Sequence, residues 1–168
     1  WREIYNRLVE LEKAIALNRN SLVDLLNRMI EKGYLMEIKI LSLIPVLPDE
    51  YSANLAAGNG RVSILQWMKE NNLPLPNQYG ANWAAKNGHP TVLQWMKENN
   101  LPLPNQYAAN AAACYGYLTV LQWMKENGLP LPNQEGANWA ARNGRTAVVN
   151  WLASQSLSNQ AILSNRPN

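Results

Sequence analysis

The sequence contains almost no residues of the kinds that build covalent cross-links or catalytic centres. Among 168 residues there are one cysteine, Cys114, one histidine, His89, and no phenylalanine. A single cysteine excludes an internal disulfide and favours a reducing, intracellular compartment, which includes the cytoplasm of a host cell. A single histidine leaves no paired-histidine metal site and provides no Ser-His-Asp arrangement. Zinc-ligand spacings and phosphate-binding glycine motifs are also missing. We therefore expect no enzyme, no metal site and no cofactor.

Charged residues and long apolar runs are also scarce. Charged residues make up 16% of the chain, and 15 basic against 12 acidic residues leave a net charge of +3. A protein that binds a nucleic-acid duplex usually carries a denser basic stripe, so we expect nucleic acid to be an unlikely partner. The best candidate for a membrane span, Ile40 to Leu47, is too short and contains Pro45. We therefore expect no membrane partner, and no small-molecule substrate either.

What the sequence does have is a block that recurs every 28 residues, since QWMKEN begins at Gln66, Gln94 and Gln122. Two columns keep this spacing through a fourth copy: Trp67, Trp95, Trp123 and Trp151, and Gly60, Gly88, Gly116 and Gly144. A fixed period of this length marks a stacked repeat protein, in which each unit buries its apolar face against its neighbours. The apolar fraction of 47% is large enough to supply such a core.

Each repeat reads as two short helices joined by a tight turn. Asn77 is a favourable N-cap for a first helix over 78–87, which Gly88 can end in a left-handed conformation. Pro90 suits the first position of a second helix that continues through TVLQWMKEN. The segment LPLP at 101–104 cannot extend this helix. The predicted fold is therefore an all-α helix-turn-helix solenoid with shortened loops.

The second helix and the alanines of the first helix are predicted to form the core. The core positions of the second helix follow helical spacing: Val92, Leu93, Trp95 and Met96. An alternative for the tryptophan column is a ladder on which a ligand stacks. Residues at identical positions in every unit usually serve the contact between units, so we expect the tryptophans to be buried there.

The four copies differ at a few slots of the first helix and the turn. The slots of Tyr79, Trp83 and Lys86 are spaced i, i+4 and i+7 and share one helix face. Across the copies they hold Tyr51, Tyr79, Tyr107 and Glu135; Leu55, Trp83, Ala111 and Trp139; and Gly58, Lys86, Cys114 and Arg142. In the turn, Arg61, His89, Tyr117 and Arg145 share one slot, and Tyr115 replaces an Asn. Such variation on an invariant frame is typical of a binding surface, and the alternative is drift of unconstrained exposed positions.

The segment AAKNGHPTVLQWMKEN resembles the ankyrin repeat, whose pattern is L-A-A-x-x-G-H followed by a second helix V-V-x-L-L-L. Ala84-Ala85, Gly88-His89 and Val92-Leu93 fall on the matching positions, and the other copies match in the same way up to Gln155. The unit is shorter than the usual ankyrin repeat, and Asn82 stands where the family has the His of T-P-L-H. The short unit is similar to those of ankyrin arrays in amoeba-infecting giant viruses and in effector proteins of intracellular bacteria.

The resemblance implies recognition of another protein through the first helices and the turns, as in an adaptor or a host-targeting effector. The candidate partner-binding residues are Tyr79, Trp83, Lys86, Asn87, His89, Cys114, Tyr115, Tyr117, Arg142 and Arg145. His89 occupies the turn-His slot of the family, which favours a structural or surface role. Cys114 has no histidine beside it in the sequence, so we do not expect a nucleophile.

Residues 1–48 are predicted to form a helical N-terminal cap, since a solenoid needs atypical units at its ends. The residues with helical spacing at the start are Ile4, Leu8, Leu11 and Ile15. The stretch Leu22 to Leu26 is interpreted as the second helix of a divergent repeat, with Asn18 in the glycine slot. The alternative for this segment is a separate functional module of a longer protein.

Residues 49–153 hold the four repeats. Residues 154–168 are predicted to form a C-terminal cap, with one helix near 159–163 and a frayed tail. The chain begins at Trp1 rather than Met, so we expect it to be a fragment.

Two alternatives to protein binding remain open. Helical repeats also read single-stranded RNA, one base per unit, through stacking and basic side chains on one helix. The variable face offers Tyr, Trp, Lys and Arg for this purpose. The second alternative is a structural or regulatory arm of a larger protein. The modest charge and the resemblance to ankyrin repeats favour a protein ligand.

Overall fold

The computed structural model describes residues 19–41 and 48–164, with the single helical residues Asn6 and Val9; for 19–21, 40–41 and 156–164 it describes the backbone alone. This part of the chain contains ten α-helices and no β-strand, which confirms the predicted all-α helical-repeat solenoid. The helices are α1 (Arg19–Lys32), α2 (Leu35–Leu41), α3 (Glu50–Gly58), α4 (Val62–Glu70), α5 (Gln78–Lys86), α6 (Pro90–Glu98), α7 (Gln106–Tyr115), α8 (Leu118–Glu126), α9 (Gln134–Arg142) and α10 (Thr146–Ser164).

A side-chain cap begins the first helix of every repeat. Asp49 accepts a hydrogen bond from the backbone N–H of Ser52 at 2.9 Å, and Asn77 accepts one from Tyr79 at 2.8 Å. Asn105 and Asn133 do the same in the third and fourth repeats. These bonds satisfy N–H groups that have no acceptor within the helix. The caps predicted from the sequence are therefore confirmed.

A left-handed glycine ends the first helix and sets the turn. Gly88 has φ 78°, and the next residue, His89, donates its backbone N–H to the Ala84 carbonyl at 2.9 Å. The equivalent glycines of the other repeats have φ between 66° and 88°. Pro90 then begins the second helix at a position that needs no N–H donor.

The second helices end at a left-handed residue, except in the fourth repeat. Asn72, Asn100 and Gly128 have φ of 54°, 55° and 67°, and a proline loop follows each of them. In the fourth repeat Ser156 stands in this place and the prolines are missing. Helix α10 accordingly continues without interruption to Ser164, where the sequence predicted a separate short helix near 159–163.

The core lies between the two helices of each repeat and between neighbouring repeats. In the first three repeats the alanines of the first helices are buried. The large apolar residues of the second helices are fully buried: Ile64, Leu65, Met68, Leu93, Met96, Leu121 and Met124. The alanines allow neighbouring first helices to lie close together along their length, whereas neighbouring second helices contact each other at few points. The array therefore curves, with the first helices on its inner side.

The tryptophan column lies at the junctions between repeats. Trp67 and Trp95 are each 7% exposed, and the indole Nε1 of Trp95 donates to Oε1 of Gln66 in the preceding repeat at 3.0 Å. Trp123 makes the same bond to Gln94 at 2.9 Å but is half-buried, as is Trp151. Burial between units is thus confirmed for the first two tryptophans of the column, and no ligand ladder is available there.

A second ladder joins the loops to the preceding repeats. The side-chain Oδ1 of Asn54 accepts the backbone N–H of Asn77 at 3.0 Å. Asn82 and Asn110 accept the corresponding N–H groups of Asn105 and Asn133 at 3.1 and 3.0 Å. These bonds satisfy loop donors that the proline-rich segments leave without a backbone partner.

Helices α1 and α2 pack on the first repeat as a divergent repeat of their own. Gly33, with φ 80°, lies between them in the role of the turn glycine. Ser52 of α3 donates its hydroxyl to Oδ1 of Asn27 at 3.0 Å. The interpretation of Leu22 to Leu26 as a second helix, with Asn18 in the glycine slot, is therefore wrong: these residues belong to the first helix, and the glycine signal is Gly33. Apart from the helical residues Asn6 and Val9, the predicted helix over Ile4 to Ile15 lies outside the described residues, as does the tail after Ser164.

Candidate recognition surface

Three tyrosines project from the inner side of the array at the same place in consecutive repeats. Tyr51, Tyr79 and Tyr107 are 54%, 70% and 61% exposed. Each lies in the first turn of its first helix, directly after the capping residue and a polar position. We call these three residues the tyrosine column. The column gives each of the first three repeats one exposed aromatic ring.

The sequence-based site list included Tyr79 alone from this column. Tyr51 and Tyr107 occupy the same slot in other copies, but the sequence-based prediction gave weight to positions that differ between repeats. Identity of residue type across three copies was the signal that could have found them. Glu135 ends the column in the fourth repeat and is also exposed.

Trp83, in the second of the three first-helix slots that differ between repeats, packs against the preceding repeat. The Trp83 ring meets Tyr51 of the preceding repeat edge-to-face, with centroids 6.3 Å apart and planes at 90°. Its Cβ lies 3.0 Å from the point where a side chain on Gly58 would begin. Trp83 is thus half-buried against the first repeat, and its replacement would cost stability as well as surface.

The turn residues form a ladder that covers one glycine after another. Each long turn side chain lies over the turn glycine of the preceding unit: Arg61 over Gly33, His89 over Gly60, Tyr117 over Gly88 and Arg145 over Gly116. Arg61 also donates from Nε and Nη2 to the Glu31 carbonyl at 3.0 and 2.6 Å. The varied slot read from the sequence as a binding position is therefore first of all a contact between repeats.

Asn87 also has a structural role. Its side-chain amide donates to the Gly58 carbonyl of the preceding repeat at 2.7 Å. Asn143 donates to the Trp139 carbonyl at 2.8 Å and to Sγ of Cys114 at 3.3 Å. Cys114 is half-buried beside this amide.

His89 lies at the junction of the first and second repeats. Burial and, to a smaller extent, the neighbouring Arg61 lower the pKa of this histidine below its ordinary value of 6.5, and a hydrogen bond with the Gly58 backbone opposes the shift. The neutral imidazole is therefore the form that the folded chain favours. The contribution of His89 to the free energy of unfolding is therefore complete above pH 6.5. It is lost as the pH falls from 6.5 through the lowered pKa of the folded state.

His89→Tyr is expected to weaken the pH dependence of stability, because it removes this titration. Tyrosine is a matched replacement, since Tyr117 fills the same slot in the next repeat. Melting temperatures of both proteins, measured at about pH 7.5 and about pH 5, should show the larger loss on acidification in the wild type. Equal losses in the two proteins would show that His89 does not contribute to the dependence.

The turn end of the four repeats carries cations and no carboxylate. We call residues 58–61, 86–89, 114–117 and 142–145 the turn edge. Its cationic side chains are Arg61, Lys86, Arg142 and Arg145, and no Asp or Glu occurs in these segments. Lys86 lies over the Tyr115 ring, with Nζ 5.9 Å from the centroid, and Tyr115 is 47% exposed. The lysines of the second helices differ, since each bonds to the following repeat: Lys69 to Asn99, Lys97 to Asn127 and Lys125 to Gln155.

The described part of the chain holds no group of three or more His, Cys, Asp or Glu residues that could bind a metal ion. Within the same residues, no helix is long and apolar enough to cross a membrane. What the surface offers instead is exposed phenol rings and a cationic edge.

No protein-family model and no curated protein matches the chain. Solved structures do match, among them two crystal structures of the pentatricopeptide repeat protein PPR10 in complex with an 18-nt psaJ RNA element, one of them with three cysteines replaced by serine. Each has 18% sequence identity and a TM-score of 0.45, and the match covers 82% of this chain and 24% of the other. The chain therefore spans about a quarter of the length of these proteins.

These matches correct one expectation. Both are helical-repeat proteins of the pentatricopeptide class rather than of the ankyrin class, and both hold RNA. The RNA held by these proteins conflicts with the prediction that nucleic acid is an unlikely partner, which rested on the modest charge of the chain. Helical repeats can read a single strand with two or three side chains per unit, one base for each repeat.

Proposed function

We propose that this chain binds single-stranded RNA along the tyrosine column and the turn edge. The observation that carries the proposal is the column itself: three phenol rings, each more than half exposed, at one ring per repeat. Neighbouring packed helices lie about 8–10 Å apart, so the rings form separate platforms rather than one stack. Base–aromatic stacking contributes about 1–3 kcal/mol per base and tolerates any base.

The charge distribution supports an anionic ligand. Lys86 lies seven residues after Tyr79 on the same face of α5, about 10 Å along the helix. Arg142 holds the same position in α9, where Glu135 stands in place of the tyrosine. Arg145 adds a third cation, whose side chain is exposed like that of Arg142. The guanidinium of Arg61 is engaged by the Glu31 carbonyl and contributes less. A strand whose bases stack on the tyrosines therefore finds cations for its phosphates at one end of the first helices.

A single strand fits this arrangement better than a duplex. The faces of paired bases are hidden within the duplex, whereas unstacked bases of a single strand can be splayed onto aromatic rings. The proposed role is binding alone. That the chain is not an enzyme, and that it works inside a cell, stay predictions from the sequence.

Tyr79→Ala and Tyr107→Ala are each expected to weaken RNA binding about 5- to 150-fold, the equivalent of one lost stacking contact. Because both rings are more than half exposed, the melting temperature should change little. The measurement is fluorescence anisotropy of a labelled single-stranded RNA, with the dissociation constant determined for each variant. Thr91→Ala is a matched control, since this exposed residue of α6 lies in the slot where the fourth repeat has Ala147.

Unchanged affinity in both tyrosine variants would remove the column from the site. An absence of RNA binding by the wild type would overturn the proposal altogether. The sequence-based hypothesis of a protein ligand, with an ankyrin-like repeat in an adaptor or effector, would then be the remaining prediction, because tyrosine is also a frequent anchor of protein interfaces.

A further inference from the structure

The third turn departs from the other three at a position that normally caps a helix. Asn59 and Asn143 donate their side-chain amides to carbonyls of their own first helix at 2.9 and 2.8 Å, and Asn87 donates to the preceding repeat. Tyr115 stands in this slot in the third repeat and makes no such bond. Helix α7 is one residue longer as a result and ends at Gly116, with φ 88°. The third turn therefore lacks the side-chain amide bond of the other turns, and the Tyr115 side chain is 47% exposed.

The Tyr115 ring belongs to a cluster of aromatic and cationic groups. Its centroid lies 6.3 Å from that of Tyr117, with the two planes at 35°, and Lys86 approaches it from the second repeat. Tyr117 itself lies over Gly88 and is half-buried, so it supports the exposed ring from the side. Tyr115 is therefore held at the edge of the array as a platform with one cation already beside it.

A cavity of about 330 Å³ lies next to this platform, between the third and fourth turns. It is lined by Tyr115, Gly116, Gly144, Arg145 and the first residues of α10, Thr146, Ala147 and Val148. Gly144 leaves it open, because no atom lies within 4 Å of the place where a side chain would begin. This volume is at the lower end of the range of small-molecule pockets. We call it the third-turn cavity.

Arg145 is the charged wall of the third-turn cavity. Its Nε donates to the Cys114 carbonyl at 3.2 Å and its Cδ lies against Gly116, which fixes the side chain beside Tyr115. Among the described residues no hydrogen bond involves its two Nη atoms. A guanidinium held in this way has free donors in the planar arrangement that suits a phosphate. No carboxylate lines the cavity to neutralise it.

A second cavity in the fourth repeat gives a contrast. It measures about 270 Å³ and is lined by Leu131, Pro132, Asn133, Gln134, Ala137, Leu152 and Gln155. These residues include neither an aromatic ring nor a charge. The third-turn cavity differs from this one because its lining includes both an aromatic ring, Tyr115, and a cation, Arg145.

We propose that the third-turn cavity binds a nucleotide, with the base on the Tyr115 ring and the phosphate on the Arg145 guanidinium. A planar ring that carries an anionic group matches an aromatic platform beside an unneutralised cation. The nucleotide has two possible sources, a free mononucleotide or one unit of an RNA strand. For a unit of a strand the inference rests on the proposed function, whereas a free mononucleotide requires only the cavity.

The test uses the full chain and a nucleoside 5′-monophosphate as the probe, with the matching nucleoside and inorganic phosphate as partial probes. Isothermal titration should show saturable binding of the monophosphate, and affinities at least about tenfold lower for each partial probe, since each keeps only one of the two contacts. Tyr115→Asn and Arg145→Gln should each lower the affinity for the monophosphate by about tenfold or more.

Matched variants keep the test independent of folding. Asparagine occupies the Tyr115 slot in the other three repeats, so Tyr115→Asn restores a residue that this frame already accepts. Lys97→Gln removes a cation of α6 that bonds to Asn127, lies outside the turn edge and does not line the cavity, so it should leave monophosphate affinity unchanged. An equal loss in the Lys97 and Arg145 variants would show a general charge effect and overturn the site.

The same variants separate this inference from the proposed function. If RNA binding depends on Tyr79 while the monophosphate does not bind and Tyr115→Asn leaves RNA affinity intact, the third-turn cavity fails and the proposed function stands. If the monophosphate binds and single-stranded RNA does not, the cavity stands and the proposed function fails. Binding of RNA that weakens in Tyr115→Asn, compared between strands with and without a terminal phosphate, would identify the strand as the source.

Discussion

Trp95→Ala is expected to lower the free energy of unfolding by about 3–5 kcal/mol, the usual cost of removing a large buried aromatic side chain. Trp95 is 7% exposed and belongs to the buried core of the array. The substitution also removes the hydrogen bond from its indole to Gln66. Urea denaturation followed by circular dichroism measures the change, because helix content reports on the whole array.

Trp151→Ala is the matched control for this experiment. Trp151 occupies the same slot in the fourth repeat, but it is half-buried and no fifth described repeat follows it. We expect a clearly smaller loss of stability there. If the two variants lost the same stability, burial between successive repeats would not be what holds the tryptophan column, and the stacking account of the core would be wrong.

Gly88→Ala is expected to destabilise the chain by about 2–5 kcal/mol, from two separate causes. A residue with a side chain costs about 1–2 kcal/mol in the left-handed conformation that Gly88 adopts, with φ 78°. The new methyl group would also begin 2.6 Å from the Tyr117 ring, and overpacking of this kind costs about 1–3 kcal/mol. Thermal and chemical denaturation measure the sum.

Gly144→Ala separates the two causes. Its φ of 66° carries the same backbone cost, but nothing lies within 4 Å of the new methyl group. It should therefore lose only about 1–2 kcal/mol. The difference between the two variants measures the contact of one turn with the next. Equal losses would mean that the Tyr117 ring moves away from the new methyl group without loss of stability, so its contact with Gly88 does not stabilise the array.

The sequence predicted the repeated parts of this molecule well, because each local signal there is reinforced by its copies. Asn77, Gly88 and Pro90 mark a helix start, a turn and a second start by chemistry that depends only on neighbouring residues. Burial of Trp95 followed from its invariance across units. These elements appear in the structure with bounds that differ by about one residue from those expected.

The parts that sequence reasoning missed depend on contacts between repeats. A turn side chain that lies over the glycine of the preceding unit is about 30 residues away from its partner, and its slot holds Arg, His or Tyr without a common pattern. For the same reason Trp83 and Asn87 were predicted only as binding residues, and their contacts with the first repeat were not foreseen. The glycine slot of the unit formed by α1 and α2 was assigned to Asn18 instead of Gly33. This unit does not contain the residues that identify the other repeats.

The most direct test of the central claim is the salt dependence of binding to a labelled single-stranded RNA, measured by anisotropy alongside the same sequence as a duplex. With Lys86, Arg142 and Arg145 as the available cations, the logarithm of the affinity should fall with the logarithm of salt concentration with a slope of about −2. The account predicts this slope and a clear preference for the single strand. An absence of binding at low salt, or equal affinity for the duplex, would contradict it.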